Sequence, residues 1–248
     1  LFLFEPNMVL GRSNKFFIKY CEKIFCYSDE IKNFPIKYIN KINVIPALLR
    51  KKFYEIKKEK SIDEYINLLV IGGSQGAKIF DSLIKNSIIE LSQRYSLKIY
   101  QQTNSVNFDN LEKFYKKNNI NHELFNFDED ISSLMSKTNI CVTRAGASTL
   151  AELVFLNLPF VAIPLPTSND NHQFENAFFY NNIGCNWIIN QSEINDENIT
   201  NELVSIIDNK HEYLEKKMNM KNFSYQNTWN NINQKIISVI NENRISKN

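Results

Sequence analysis

The residues best suited to chemistry lie in Asn139-Ile-Cys-Val-Thr143-Arg144-Ala-Gly146-Ala147-Ser148-Thr149-Leu150-Ala151-Glu152-Leu153. Residues 139–143 are apolar and β-branched, as in a central parallel strand, and a tight turn through Gly146 then opens a helix. Gly146 is expected to supply a turn that would crowd a side chain, and Ser148 and Thr149 carry hydroxyls suited to capping. A helix start exposes unpaired backbone N–H groups and the positive end of its dipole, which together receive an anion. Glu152 lies one turn further in, where a carboxylate accepts hydrogen bonds from a diol such as a ribose. Taken alone, the stretch is equally an ordinary strand–turn–helix with a favourable first-turn acid.

A second element of the same design is Leu68-Leu-Val-Ile71-Gly72-Gly73-Ser74-Gln75-Gly76-Ala77. Its glycines let the backbone approach a phosphate, and Ser74 adds a hydroxyl donor. The spacing is not G-x-G-x-x-G and lacks the GK[ST] of a P-loop, which argues against a dinucleotide dehydrogenase. A third is Pro164-Leu-Pro166-Thr-Ser-Asn-Asp170-Asn-His172-Gln173-Phe-Glu175-Asn176-Ala177, a proline-bracketed polar loop leading to a helix near His172. His172, Gln173 and Asn176 would project from that helix start, and amides suit sugar hydroxyls because they both donate and accept. The same pattern also describes a polar cap on a surface helix. The triplet Asp128-Glu129-Asp130 mimics a metal-binding DxD, but three acids before Ile131 fit the cap and first turn of a helix. No oxygen cluster or His/Cys set accompanies it, so no metal is expected.

Positioning these loops requires the strand–helix alternation that begins at Tyr65. Strands are predicted at 67–71, 97–101, 123–125, 139–143, 160–163 and 187–189. Helices are predicted at 76–92, 107–117, 131–137, 148–156, 172–181 and 194–208. Such alternation makes a parallel sheet with helices on both faces and ligands at the carboxyl ends of the strands. Upstream, 1–4, 23–27 and 42–45 read as strands, with a helix capped by Ser13 or Asn14 presenting Phe17, Ile18, Cys21 and Ile24 on one face. The expected organisation is residues 1–50 as the remnant of one domain, 51–63 as a charged linker, and 64–222 as a complete Rossmann-like domain. Residues 223–248 hold an amphipathic helix with Trp229, Ile232, Ile236, Ile237 and Ile240 as its apolar face, packing back toward the N-terminal part.

Composition narrows the classes. A formal charge of +2 provides no electrostatic footprint for nucleic acid. Cys21, Cys26, Cys141 and Cys185 have neither CxxC spacing nor a secreted disulfide pattern, which points to reduced thiols in the cytosol. No apolar run approaches the ~20 residues of a spanning helix, so integral insertion is not expected, whereas surface association is compatible with the sequence. The chain begins Leu-Phe-Leu-Phe-Glu without Met, in what reads as mid-strand, and is expected to be a fragment lacking an N-terminal part.

In order and spacing, Gly72-Gly-Ser-Gln-Gly-Ala77, Thr143-Arg-Ala-Gly-Ala-Ser-Thr-Leu-Ala-Glu152 and Pro164-Leu-Pro-…-His172-Gln173-…-Asn176-Ala177 resemble the MurG family. Glu5-Pro-Asn7-…-Gly11-…-Asn14-Lys15 extends the likeness, with Phe4 and Pro6 where the family has His and Gln. The family's members are inverting glycosyltransferases that move GlcNAc from UDP-GlcNAc to lipid I, giving lipid II for peptidoglycan. Its fold, two Rossmann-like domains facing across a cleft, is the α/β type called GT-B. The resemblance implies a donor site of Ser74 on the diphosphate, Ala147, Ser148, Thr149, Leu150, Ala151 and Glu152 around the nucleotide with Glu152 on the ribose, and Asp128 offering its main chain to uracil. Gln173 and Asn176 would read the sugar, Asn7 would approach it from the opposite domain, and Arg50 would meet the diphosphate. Arg50 stands in Asn43-Val-Ile-Pro46-Ala-Leu-Leu-Arg50 where the family has Gly-Asn-Pro-Val-Arg.

The resemblance further implies UDP-GlcNAc and lipid I as substrates, no cofactor, other cell-wall synthesis proteins as partners, and a peripheral place on the cytoplasmic face of the inner membrane. A general base would deprotonate the acceptor hydroxyl. The family's candidate lies in a glycine-rich turn before residue 1, and His172 fits sugar contact or helix capping better. Two competing readings are another GT-B enzyme of UDP-sugars, such as a UDP-GlcNAc 2-epimerase, and a non-catalytic UDP-sugar-binding module.

Overall fold

Short apolar runs pair in parallel to make two sheets in a computed structural model that describes residues 1–56, 65–72, 79–128 and 130–245. The smaller sheet has the order β1 (Phe2–Glu5), β2 (Lys23–Cys26), β3 (Ile42–Val44). The larger contains β4 (Tyr65–Ile71), β5 (Ser96–Gln102), β6 (Asn121–Phe125), β7 (Ile140–Thr143), β8 (Phe160–Ala162) and β9 (Asn186–Ile188). Its spatial order, β6-β5-β4-β7-β8-β9, reverses direction between β4 and β7. That is the doubly wound order, with its ligand crevice at the reversal. The architecture is therefore the expected α/β one: a complete Rossmann-like domain joined to a three-stranded part of a second.

The helices are α1 (Arg12–Phe17), α2 (Lys51–Glu55), α3 (Lys85–Arg94), α4 (Ser105–Lys117), α5 (Ile131–Ser136), α6 (Ala147–Phe155), α7 (His172–Asn182), α8 (Asp196–Asp208), α9 (Lys210–Ser224) and α10 (Trp229–Ile245). Residues 79–83 are also helical and lead toward α3. Alternate residues of each central strand enter opposite cores. Leu69, Ile71, Cys141 and Phe160 join one with α6 and α7, whereas Leu68, Val70, Ile140 and Val142 join the other with α3, α4 and α8. Burial on both faces explains why these strands read as continuous apolar runs.

Several expectations are corrected. The stretch expected as a linker starts with α2, which roots a fully buried Phe53 in the α6 core, while residues 57–64 lie outside the described set. Neither Ser13 nor Asn14 caps α1. Gly11 stands at its N-cap, and the Asn14 amide donates to the Phe4 carbonyl at 2.8 Å and to Glu5 Oε2 at 2.9 Å. A buried carboxylate is the stronger acceptor and draws the amide away from the helix end. Helix α9 was not anticipated: its buried residues are Tyr213, Met220 and Ser224, too sparse for a visible apolar stripe. In α10 the buried positions are Ile232 and Val239, one heptad apart, while Trp229 and Ile237 are exposed. Val239 and the partly buried Ile236 pack into the core of the smaller sheet.

Phe53 closes the joint between the two units. Phe53→Ala is expected to lower stability by about 3 kcal/mol through lost burial and the cavity it leaves. Urea denaturation measures this, and a loss within ~0.5 kcal/mol, as for an ordinary surface site, would show that α2 is not anchored there.

Candidate functional site

Ile71 and Thr143 are register partners at the carboxyl ends of β4 and β7. Beyond them lies a cavity of about 370 Å³ whose lining includes Gly72, Gly146, Gln102, Phe125, Thr149 and Glu152. The position follows from topology, because the helices after the two strands leave on opposite faces and part the loops above the sheet.

Helix α6 begins at this cavity. Gly146 occupies its N-cap at φ −69°, ψ 133°, and no side chain caps the helix. The expected capping by Ser148 and Thr149 is thus corrected: both belong to the first helical turn. Gly146 is not required by conformation or crowding either, since a Cβ there would meet only Thr149 Oγ1 at 3.9 Å. What its bareness provides is an open approach to first-turn N–H groups that lack a side-chain partner.

Glu152 lies one turn further along and is only 6% exposed. Its Oε1 accepts from Arg50 Nε at 3.0 Å. Burial raises the Glu152 pKa above the ordinary glutamate range, and the guanidinium opposes that rise without overcoming it. Arg50 comes from the segment between the sheets, and its guanidinium carbon stands 5.1 Å from the Phe53 ring centroid. Gln173 sits across the cavity and accepts through Oε1 from the N–H groups of Ala145 at 3.2 Å and Leu165 at 3.0 Å. Its oxygen is committed to the backbone, and its amide nitrogen is what remains to meet a ligand.

Arg50, Asp128, Thr149, Glu152 and Gln173 therefore line one cavity, as five of the residues singled out by sequence. Ala147 is half-buried and Ser148 exposed on the α6 opening, whereas the side chains of Leu150 and Ala151 are in the core, which leaves only their backbone for a ligand. Ser74 and residues 73–78 around it lie outside the described residues. Asn176 lies behind the cavity as a bridge between the units. Its Oδ1 accepts from Met8 N at 2.9 Å, and its Nδ2 donates to Asn7 Oδ1 and to the Ala145 carbonyl, both at 3.1 Å. Asn7 borders a second cavity of about 340 Å³ shared with Gly11, Asp170 and His172. His172 Nδ1 lies 2.8 Å from the Asn169 carbonyl. Glu5 shapes this loop: its carboxylate accepts from Gly11 N at 2.7 Å and Asn7 N at 3.2 Å. A Cβ at Gly11 would come within 3.1 Å of Glu5 Oε2, so the close approach depends on the glycine.

The acidic triplet behaves as a turn and helix start. Asp128 Oδ1 accepts from Asp130 N at 2.7 Å, and Asp130 Oδ1 accepts from Ser132 Oγ at 2.8 Å, with Glu129 outside the described residues. Among the described residues no group of three or more His, Cys, Asp or Glu is arranged to hold a metal.

Sequence reasoning overlooked the polar end of β5. Gln102 Oε1 accepts from Gly72 N at 3.2 Å, tying the residue after β4 to the end of β5. Asp81, on helical residues 79–83, accepts from Gln101 Nε2 at 3.1 Å and from Thr103 Oγ1 and Asn107 Nδ2 at 2.8 Å. The signal was present as three consecutive polar residues, Gln101-Gln102-Thr103, closing an apolar strand. Arg144 was also unassigned. Its guanidinium donates to the Ile163 and Pro164 carbonyls at 3.0 and 3.2 Å and to Gln191 Oε1 at 2.7 Å, tying the ends of β7 and β8 together.

Residues 67–232 match the glycosyltransferase family 28 C-terminal domain. The chain is 67% identical over 244 residues to the UDP-N-acetylglucosamine–N-acetylmuramyl-(pentapeptide) pyrophosphoryl-undecaprenol N-acetylglucosamine transferase of Pelagibacter ubique (strain HTCC1062), covering 98% of this chain and 68% of that protein. To the same-named protein of Rickettsia bellii (strain RML369-C) it is 34% identical over 212 residues, covering 83% of this chain and 60% of the relative. This chain thus spans 60–68% of the length of these two curated relatives. Among solved structures, Acinetobacter baumannii MurG superimposes with a TM-score of 0.77 at 24% identity, covering 97% of this chain and 67% of that one, a likeness of fold.

Glu152 offers a test of the site's electrostatics. Its folded pKa is raised, so it favours the folded state most at pH values below its unfolded pKa, and that contribution is lost as pH rises through the folded value. Glu152→Gln carries no such penalty. The Tm of the variant minus that of wild type is expected to grow as pH rises above the ordinary glutamate pKa of about 4. Thermal melts that show a flat or shrinking difference would mean that Arg50 compensates the buried charge in full.

Proposed function

Because this chain belongs to glycosyltransferase family 28, we propose that it works as an inverting N-acetylglucosaminyltransferase, moving GlcNAc from UDP-GlcNAc to lipid I to form lipid II in peptidoglycan synthesis. The observation that carries this reading is 67% identity across 98% of the chain to a transferase named for that reaction. It favours lipid-linked transfer over a UDP-GlcNAc 2-epimerase.

The geometry suits the chemistry. An acceptor hydroxyl attacks the anomeric carbon from the face opposite the diphosphate, and the bond to UDP breaks as the new glycosidic bond forms, so the configuration inverts. Charge then develops on the departing diphosphate. The uncapped start of α6 and the Arg50 guanidinium, both on the cavity, supply positive potential for it, and in our reading they do so without a metal. Glu152 receives the ribose diol, Asp128 offers its main chain to uracil, and the Gln173 amide nitrogen meets the sugar. Asn176 contributes by tying the Asn7 loop of the smaller unit to the helix that carries Gln173. We assign the base to none of the histidines: His172 borders the second cavity and is engaged with the Asn169 carbonyl.

The lipid-linked acceptor sets the place of action as the cytoplasmic membrane surface, with peripheral attachment. Among the described residues no helix is long and apolar enough to cross a membrane. Phe16, Phe17 and Tyr20 are exposed around α1, with the Lys19 ammonium over the Phe16 and Tyr20 rings, a composition suited to an interfacial contact.

Calorimetry of UDP-GlcNAc binding tests the donor site. Ser74→Ala and Glu152→Ala are each expected to cost about 1–3 kcal/mol of binding, and unchanged affinities would remove those two residues from the site. Incubation with a lipid I analogue should yield the disaccharide product; conversion of UDP-GlcNAc alone to its 2-epimer would overturn the transferase reading.

A further inference from the structure

The carboxylate that would hold the ribose already has a partner. Arg50 Nε lies 3.0 Å from Glu152 Oε1, and among the described residues it is the one side chain bonded to that carboxylate. We infer that Arg50 makes this site select ligands carrying a diphosphate over bare nucleosides, by occupying Glu152 until a diphosphate draws the guanidinium away. The inference rests on the donor-site reading above and concerns what that site refuses.

Three observations carry it. First, the two partners are unequally held: the Glu152 side chain is 8% exposed inside α6, whereas that of Arg50 is 52% exposed on a connecting segment. Arg50 is steadied by this pair and by the Phe53 ring, and it is the member free to move. Second, both residues line the same cavity as Gly146 and Thr149 at the start of α6. Glu152 lies five residues after Ala147, about 7.5 Å along the helix axis, and its side chain leans back toward the helix start, within the swing of an arginine side chain. The guanidinium can therefore exchange the carboxylate for an anion at the helix start without a change in the fold.

Third, the two classes of ligand differ in what they return. A ribose diol seats on a carboxylate through both hydroxyls. A nucleoside that takes Glu152 must break a charge-assisted hydrogen bond at a buried carboxylate and leaves Arg50 without an anion. A diphosphate presents oxygens matched to the guanidinium fork, so the displaced arginine gains a partner at the moment Glu152 gains the ribose. The exchange is close to balanced for UDP and opposed for uridine.

Calorimetry of uridine, UMP and UDP with wild type, Arg50→Ala and Arg50→Lys, at one salt concentration, separates the possibilities. Arg50→Ala is expected to bind uridine about two- to fivefold more tightly, because the competing pair is gone. The same variant should bind UDP about tenfold more weakly or worse, through loss of a charged contact. Arg50→Lys keeps the charge without the fork, so its uridine affinity should stay at the wild-type level while UDP falls between the other two. It also provides the comparison should Arg50→Ala fold poorly, as judged by thermal melting. Uridine and UDP weakening together in Arg50→Ala would overturn the inference and make Arg50 a fixed part of the ribose seat, and unchanged uridine affinity would overturn it too. If wild type binds UDP and only these ratios fail, the donor-site reading stands; if wild type does not bind UDP, that reading itself fails.

Discussion

The parallel pairing of β4 with β7 is the constraint on which the site depends. Leu68 to Ile71 run beside Ile140 to Thr143, and Leu69, Val70, Ile140, Cys141 and Val142 are completely buried. In a parallel pair every carboxyl end lies at one edge, so the loops after the two strands arrive together. The helices that follow pack on opposite faces, as the two separate cores record. A crevice at the carboxyl ends of the two strands is the result, lined by Gly72 and Gly146. An antiparallel neighbour would have sent one of the two loops to the far end of the domain.

Electrostatics at that crevice follow from what is withheld as much as from what is present. Gly146 contributes no side chain and α6 has no capping hydroxyl, so the positive helix start is left to a ligand. Glu152 is buried one turn away and needs compensation, which in the absence of a ligand comes from Arg50. A buried carboxylate beside an uncapped helix start is a poor arrangement for stability, and such local conflict is what a binding site leaves in a fold. Gln102 ties Gly72 to the end of β5, and Gln101 and Thr103 tie Asp81 to the same strand end.

The joint between the two units is polar where it nears the site and apolar behind it. Asn176 reaches Met8 and Asn7, Lys32 pairs with Glu175 at 2.7 Å, and Arg12 approaches Asp170 at 3.6 Å. Behind these, the Tyr54 ring meets Phe155 and Trp229 edge-on, and Val239 enters the small core. Polar contacts at a rim break and re-form with little area exchanged, whereas the apolar contacts behind them keep the units together. The loop of the smaller unit that borders the second cavity is thereby coupled to the start of α7, which also carries Gln173.

Much of this was legible from residues close together along the chain. Strand and helix alternation, the Gly146 opening and the place of Glu152 within α6 are local patterns, and pattern follows from the period of each element. Helix α9 escaped because its three buried residues make no stripe, and the capping of α1 was misjudged because a distant carboxylate competed for Asn14. What the sequence by itself determined was which stretches become strands and helices and that α6 opens at Gly146. Tertiary structure alone decided that Arg50 faces Glu152 across 102 positions and that Asn176 grips Met8 across 168. Local pattern sets each element's apolar face, but the partner of a buried polar group is chosen by whichever group packing delivers to it.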